Sequence, residues 1–224
     1  MFSFQLLSAL SSAALLVAAA PSPRVCSTTP TVMDLPSGQT QLVSPTTAPL
    51  YVAIGVGVQN YTCSASTLKY TSTGAVASLF DISCLDTVPA FKTVQTAAFN
   101  AWNALPAGAS PNSVGAKVGA PALLGFHYFV PSPTGTGISP KWDFTSTGAN
   151  VGSANAFVIG TKVGDITDST NTAVNVDWLA LNNLEGSLAS QVFRIDTVNG
   201  QPPSSCVAGS ADISIKYAAK YFLY

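Results

Sequence analysis

The sequence predicts an all-β domain: one sandwich or barrel of about eight to ten strands with one short helix insertion. Short runs of alternating apolar residues recur along the chain, separated by turns rich in Gly, Pro, Ser and Thr. Only one segment beyond the N-terminus carries helical periodicity. The length left after an N-terminal leader, about 204 residues, suits a single domain with a core of its own.

The leader comes first. Met1 to Gln5 is a short lead, and Leu6 to Ala18 is an apolar run of Leu, Ala and Val. Small residues at Val17 to Ala20 precede Pro21-Ser22-Pro23. Residues 1–20 therefore read as a secretory signal peptide. The run is too short, and too soon broken by proline, to span a bilayer. Residues 21–48 read as an extended arm, with Pro21, Pro23, Pro30, Pro36 and Pro45 opposing any helix. The β domain follows over 49–224.

Its first strand starts at Leu50. Leu50, Val52, Ile54, Val56 and Val58 share one face, and Tyr51, Ala53, Gly55, Gly57 and Gln59 the other. The small residues of the second face predict close packing over it. Leu68 to Tyr70 and Ala75 to Ile82 read as two shorter strands. Val94 to Leu105 reads as the helix, with Val94, Ala97, Ala98, Ala101, Trp102 and Leu105 on one side and Pro106 and Gly108 ending it. Residues 107–121 read as a loop. Leu123 to Val130 reads as a strand buried on both faces, and Pro131 to Gly137 as a turn. Trp142 to Thr145, Ala156 to Val163, Val174 to Leu181 and Ser190 to Val198 read as further strands, with a polar loop at Asp165 to Asn171. In the last strand Ile213, Ile215, Tyr217, Ala219, Tyr221 and Leu223 face one way. Asp212, Ser214, Lys216, Ala218, Lys220 and Phe222 face the other.

The apolar fraction is 47%, but charged residues make up 8%, where about 25% is usual. The surface must be covered by neutral polar side chains, which suits an extracellular protein among neutral polysaccharides. The net charge is -1, and the basic residues form no stripe, so nucleic acid is not an expected partner. Cys26, Cys63, Cys84 and Cys206 make an even count. In an exported chain that predicts two disulfides, with three pairings open. Zinc is disfavoured, because there is no close cysteine pair and His127 is the single histidine; no metal or other cofactor is expected. Asn60-Tyr61-Thr62 is a glycosylation sequon. The closing Tyr221-Phe222-Leu223-Tyr224 lacks the pattern of a glycolipid anchor.

Several segments taken together resemble the secreted DUF3455 family of fungi and bacteria. They are G-V-G-V-Q-N-Y-T-C at Gly55 to Cys63, G-A-V-A-S-L-F-D at Gly74 to Asp81, H-Y-F at His127 to Phe129 and S-P-K-W-D-F at Ser139 to Phe144. V-D-W-L-A-L at Val176 to Leu181, F-R-I-D-T-V-N-G-Q-P-P-S-S-C at Phe193 to Cys206 and the closing Y-A-A-K-Y-F-L-Y continue the set. The resemblance runs from about Leu50 to Tyr224. It implies Cys63–Cys206, leaving Cys26–Cys84 to tie the arm to the domain, and it marks the helix as a fungal-type addition. Some members carry the label malate dehydrogenase. This sequence does not support it: Gly55-Val56-Gly57 lacks the third glycine of G-x-G-x-x-G and sits within a strand.

His127 must carry any imidazole chemistry. If Pro131 to Gly137 is a hairpin turn, Lys141, Trp142 and Asp143 return beside it. That places an imidazole, a carboxylate and an indole on neighbouring strands, although no G-x-S-x-G nucleophile is present and a second carboxylate is available only if Asp177 meets Asp143. Trp142, Trp178, Tyr61 and Tyr128 are candidates for a sugar platform, with both tryptophans in the core as the plainer reading. Arg194 and Asp196, two apart on one strand, read as an ion pair. Asp165 to Asn171 lacks the glycine and glutamate of a calcium loop and reads as a polar turn. The expectation is a secreted cell-surface, cell-wall or host-interface protein without catalysis, binding a polysaccharide or other glycan or an extracellular protein, with His127, Lys141, Trp142, Asp143, Trp178 and Arg194 as candidate contacts. The alternative is a small secreted hydrolase centred on His127 and Asp143, which requires His127 exposed in a pocket with a carboxylate in reach.

Overall fold

The structure, a computed structural model, describes residues 26–29 and 31–224. The leader and the first residues of the arm lie outside the described residues. The strands are β1 (Tyr51–Ser64), β2 (Lys69–Asp81), β3 (Leu123–Pro131), β4 (Ile138–Asp143), β5 (Phe157–Ile166), β6 (Trp178–Glu185), β7 (Gln191–Asn199) and β8 (Ile213–Leu223). Each pairs antiparallel with the next in sequence, and β8 closes onto β1. The fold is thus an up-and-down barrel rather than a sandwich.

The alternation of β1 explains the architecture. Ala53, Gly55, Gly57 and Gln59 point into the lumen, with Ala75, Ala77 and Leu79 of β2 beside them. Opposite these small residues stand the large lumen side chains Trp142, Tyr217 and Tyr221. An eight-stranded barrel has an interior about wide enough for side chains to fill, and small residues on one wall accommodate large ones from the others. A Cβ on Gly55 would lie 2.4 Å from the Tyr221 ring. The close packing expected over this face comes chiefly from Tyr221 of the neighbouring strand β8.

The opposite face of β1 is also buried. Val52, Ile54 and Val56 form a second apolar cluster outside the barrel with Phe80, Phe193 and Phe222. A helical layer inserted between β2 and β3 covers it, built on α1 (Val94–Asn103) and α2 (Val114–Lys117) with short 3-10 turns before each. Met33 and Leu42 of the arm complete the cover. Val94, Ala98 and Trp102 bury the inner side of α1, and the indole Nε1–H of Trp102 donates to Gly57 O at 2.8 Å. Lys216 Nζ donates to the carbonyls of Trp102 and Leu105 at the end of α1, where the helix dipole favours a cation.

Several expectations are corrected. The single helix becomes two; α2 is one turn within the stretch 107–121 read as a loop, too short to show periodicity. β2 is one strand, because Thr71 to Gly74 continues it: Gly74 takes φ 117° opposite a register shift at Asn60/Tyr61, a bulge where a turn was expected. β4 starts before Trp142, at Ile138, and the strand expected from Val174 starts at Trp178. Arg194 and Asp196 do not pair. The register slips between Ile195 and Val198, and Asp196 adopts φ 49°, which turns its carboxylate outward to Lys220 Nζ at 2.8 Å.

Cys26 bonds Cys84 and Cys63 bonds Cys206. The first ties the arm to the helical layer. The second ties the end of β1 to the segment between β7 and β8.

Candidate functional site

β3 and β4 form the expected hairpin, with His127 opposite Trp142, Tyr128 opposite Lys141 and Phe126 opposite Asp143. Because successive side chains point to opposite faces, the hairpin divides the sequence candidates into two groups. His127 and Trp142 enter the lumen. Lys141 and Asp143 stand on the outer wall.

In the lumen, His127 is 2% exposed and lies against the Trp142 indole in a stacked arrangement. Its Nδ1–H donates to Lys141 O at 3.0 Å, because a carbonyl can only accept. The ring is therefore held as the tautomer with Nε2 unprotonated. Burial lowers its pKa from 6.5 to about 4, against the backbone bond and in line with the nearby Arg194 charge. Tyr221 and Phe129 flank the imidazole, with ring centroids 5.7 and 5.6 Å away. Tyr221 and Tyr217 share a hydrogen bond between hydroxyls at 3.0 Å.

Arg194 enters the same space from β7, between Leu179 and Tyr221 on the adjacent strands. Its Nε and Nη2 donate to Asp177 O at 3.1 and 2.8 Å. No carboxylate of the described residues lies within ion-pair distance of it. A cavity of about 30 Å³ remains between His127, Trp142, Leu181, Tyr221 and Arg194, with Phe129, Pro140 and Leu179 completing its wall. Its wall includes no carboxylate, and the buried Trp142 Nε1–H beside it has no partner. The site is small, positively charged and supplied with unused donors. Phe129, Pro140, Leu179 and Arg194 are half-buried, whereas His127 and Trp142 are buried, so the cavity runs from a partly exposed rim to a closed floor.

The outer group is a saturated network. Asp143 accepts from Tyr128 Oη at 2.6 Å and from Thr145 Oγ1 at 2.6 Å, and pairs with Lys141 Nζ at 2.9 Å. Burial alone would raise the Asp143 pKa, but the bonds from Thr145, Tyr128 and Lys141 outweigh it and hold the carboxyl well below the usual range. Such a group is a poor general acid or base near neutral pH. The hydrolase expectation needed His127 exposed with a carboxylate in reach. His127 is instead buried, and Asp143 is on the other side of the wall.

Asp177 does not meet Asp143; its carboxyl is raised by burial and then by Asp165. The sugar platform does not assemble, because Trp142, Trp178 and Tyr61 are all buried. Trp178 lies outside the lumen, and its Nε1–H donates to Asp168 Oδ2 at 2.9 Å. Asp168 also accepts from Thr170, Asn171, Asn175 and Thr197, so this loop is a polar turn gathered round one buried carboxylate. No cluster among the described residues has the donors for a metal, and no helix among them is long and apolar enough to cross a membrane. Tyr221 was missed as a site residue, although the alternation of β8 marked it on the face with Tyr217. Phe129, two residues after His127 on the strand read at Leu123 to Val130, was marked on the same face in the same way; Leu179 carried no such signal.

A family model described as "Protein of unknown function (DUF3455)" matches residues 44–224. The chain belongs to the DUF3455 family. Neither the curated proteins nor the solved structures contain a match to it. The matched span begins just before β1 and takes in every strand of the barrel, so the lumen site lies wholly inside the DUF3455 domain. Gly55 and Gly57 lie within β1 and not at a strand-to-helix turn.

Proposed function

We propose that this protein is an extracellular binding protein without catalytic activity, and that it captures a carboxylate-bearing ligand at the barrel lumen. One observation carries the reading: the Arg194 guanidinium, unpaired by any described carboxylate, borders a small cavity that Trp142, whose buried Nε1–H has no partner, also lines. Arginine forks match planar carboxylates. A cavity of about 30 Å³ suits a group as small as a carboxylate, so the rest of the ligand would lie on the rim of Phe129, Pro140 and Leu179. Acidic sugars at the ends of extracellular polysaccharides have this chemistry, as do short organic acids. The hydrophobic leader and the two disulfides support export.

The test is a titration of the disulfide-intact protein with galacturonate, succinate and neutral galactose, following the indole N–H resonances. Both carboxylates shift the Trp142 signal and galactose does not. Arg194→Gln weakens the affinity by about tenfold or more, and Arg194→Lys recovers part of it. If the parent protein binds none of the carboxylates, or if Arg194→Gln binds them equally, the reading fails. Export is tested separately: protein recovered from the medium of its own cells begins after residue 20.

A further inference from the structure

A second, larger hollow lies on the outside of the barrel. The loop at 107–112 and the end of α1 stand away from β1, β2, β3 and β8 and leave a cleft of about 540 Å³. Its walls are mainly apolar, among them Val58, Val76, Phe126 and Trp102, with Ser214 and Asn112 at the edges. Val76 is 51% exposed, an open apolar surface on an otherwise covered wall. The size suits a small molecule or one to two sugar rings.

The sequon stands beside this cleft. Asn60 follows Val58 on the outer face of β1, about 7 Å further along the strand. Its neighbour on β8 is Ser214, a cleft residue, whose hydroxyl donates to Asn60 Oδ1 at 2.8 Å. Among the described residues Nδ2, the atom that carries a sugar, makes no hydrogen bond. That bond fixes the amide on the wall of the cleft. On the other side of Asn60 the edge is polar, with Thr62 bonded to Asp212, and offers no apolar surface of its own for a sugar face.

We infer that an N-linked glycan on Asn60 folds back into this cleft, its first N-acetylglucosamine lying over Val58 and Val76. A pyranose ring presents a C–H face to apolar side chains and hydroxyls at its edge, which matches an apolar floor rimmed by Ser214 and Asn112. The linkage holds the sugar at a high effective concentration, so weak contacts suffice. The inference rests on the export reading only because the modification needs the secretory route. Expression behind a heterologous leader supplies that route whether or not the native leader acts, so the two ideas fail separately.

The protein is secreted from a glycosylating yeast host and the Asn60 peptide is analysed by mass spectrometry. Three forms are then compared: the full glycan, the form trimmed by endoglycosidase to one N-acetylglucosamine, and Asn60→Gln. Thr62→Ala, which leaves the Asn60 side chain in place, serves if Asn60→Gln does not fold. The expected result is an occupied Asn60, slow amide exchange across residues 107–112 in both sugar-bearing forms, and several-fold greater binding of an apolar dye once the sugar is absent. An unoccupied Asn60 in the secreted protein overturns the inference. So does equal exchange and equal dye binding in all three forms, which would place the glycan in solvent and leave the cleft for a free apolar ligand.

Discussion

The imidazole of His127 and the indole of Trp142 stack with ring centroids 4.6 Å apart and planes 18° from parallel. They face each other because they are cross-strand partners on the inner face of one hairpin. This pair makes up much of the lumen's floor and sets how it responds to acid.

Stability should fall as pH drops from 6.5 toward 4. The unfolded chain takes up a proton on His127 below about 6.5, whereas burial keeps the folded ring neutral until about 4. Protonation in that window favours the unfolded state, so the contribution is complete above 6.5 and is lost by up to about 3 kcal/mol on the way down. Asp177, raised by burial and Asp165, acts in the opposite direction at the acid end. The readout is therefore the difference between parent and His127→Gln in urea unfolding at pH 7, 5.5 and 4.5. The variant shows the shallower slope; equal slopes would contradict the assigned burial.

The two disulfides should differ in worth. Cys63–Cys206 closes a span of 143 residues and Cys26–Cys84 one of 58. Chain entropy gives about 5 and 4 kcal/mol respectively. The first locks strands of the closed barrel, while the second anchors an arm of which Met33 and Leu42 are among the few buried apolar residues. Paired serine replacements at 63 and 206 therefore lower stability by more than those at 26 and 84, measured by denaturant midpoint under oxidising conditions.

Gly57→Ala should be poorly tolerated. A Cβ there would lie 1.9 Å from Val76 O and 2.6 Å from Ala77 Cα, both backbone atoms that cannot swing away. The expected loss is about 3 kcal/mol or more. Gly135→Ala is the comparison: its φ is 88° but nothing lies within 4 Å of the added carbon, so only the left-handed backbone strain remains, about 1 to 2 kcal/mol. Thermal unfolding of the two variants ranks them.

Trp178→Phe keeps the ring but removes one of the donors to Asp168. Trp178 is 6% exposed and Asp168 2%. The loss is about 1 to 3 kcal/mol. The carboxyl should also titrate closer to its ordinary value, because the bonds from Thr170, Trp178 and Asn171 are what overcome its burial and lower it. A carboxyl-carbon NMR titration of both proteins checks this.

The strands were legible because alternation is local. β1 and β8 follow from period-two patterning, and the β3–β4 hairpin from a short apolar run followed by one Pro/Gly turn. The choice between barrel and sandwich was not legible, since both give the same alternation and the deciding contact, Tyr51 with Leu223, joins the two ends of the domain and is the most remote pair in the strand registers. Lys216 and Lys220 alternate onto what reads as a solvent face. In fact they lie under the helical layer, over the Trp102 and Phe91 rings, and no strand pattern reports what covers its outer side. His127, Trp142 and Arg194 were each named from sequence, but their meeting depends on β7 lying across the lumen from β3. The expected Arg194–Asp196 pair failed because a bulge reverses the alternation, and nothing in Arg194-Ile195-Asp196-Thr197 announces one.

The pairing of β1 with β8 also bears on how the chain reaches its native state. The first strand of the barrel is made early and the strand that covers its open edge comes at the far end of the domain. Until β8 is present, β1 and β7 both offer unpaired backbone along their lengths, and the aromatic lumen is open on that side. Closure of so long a loop is slow relative to local hairpin formation. The interval between them is when such edges recruit other chains. The barrel is therefore most vulnerable to aggregation during folding, and least once the seam between Tyr51 and Leu223 has closed.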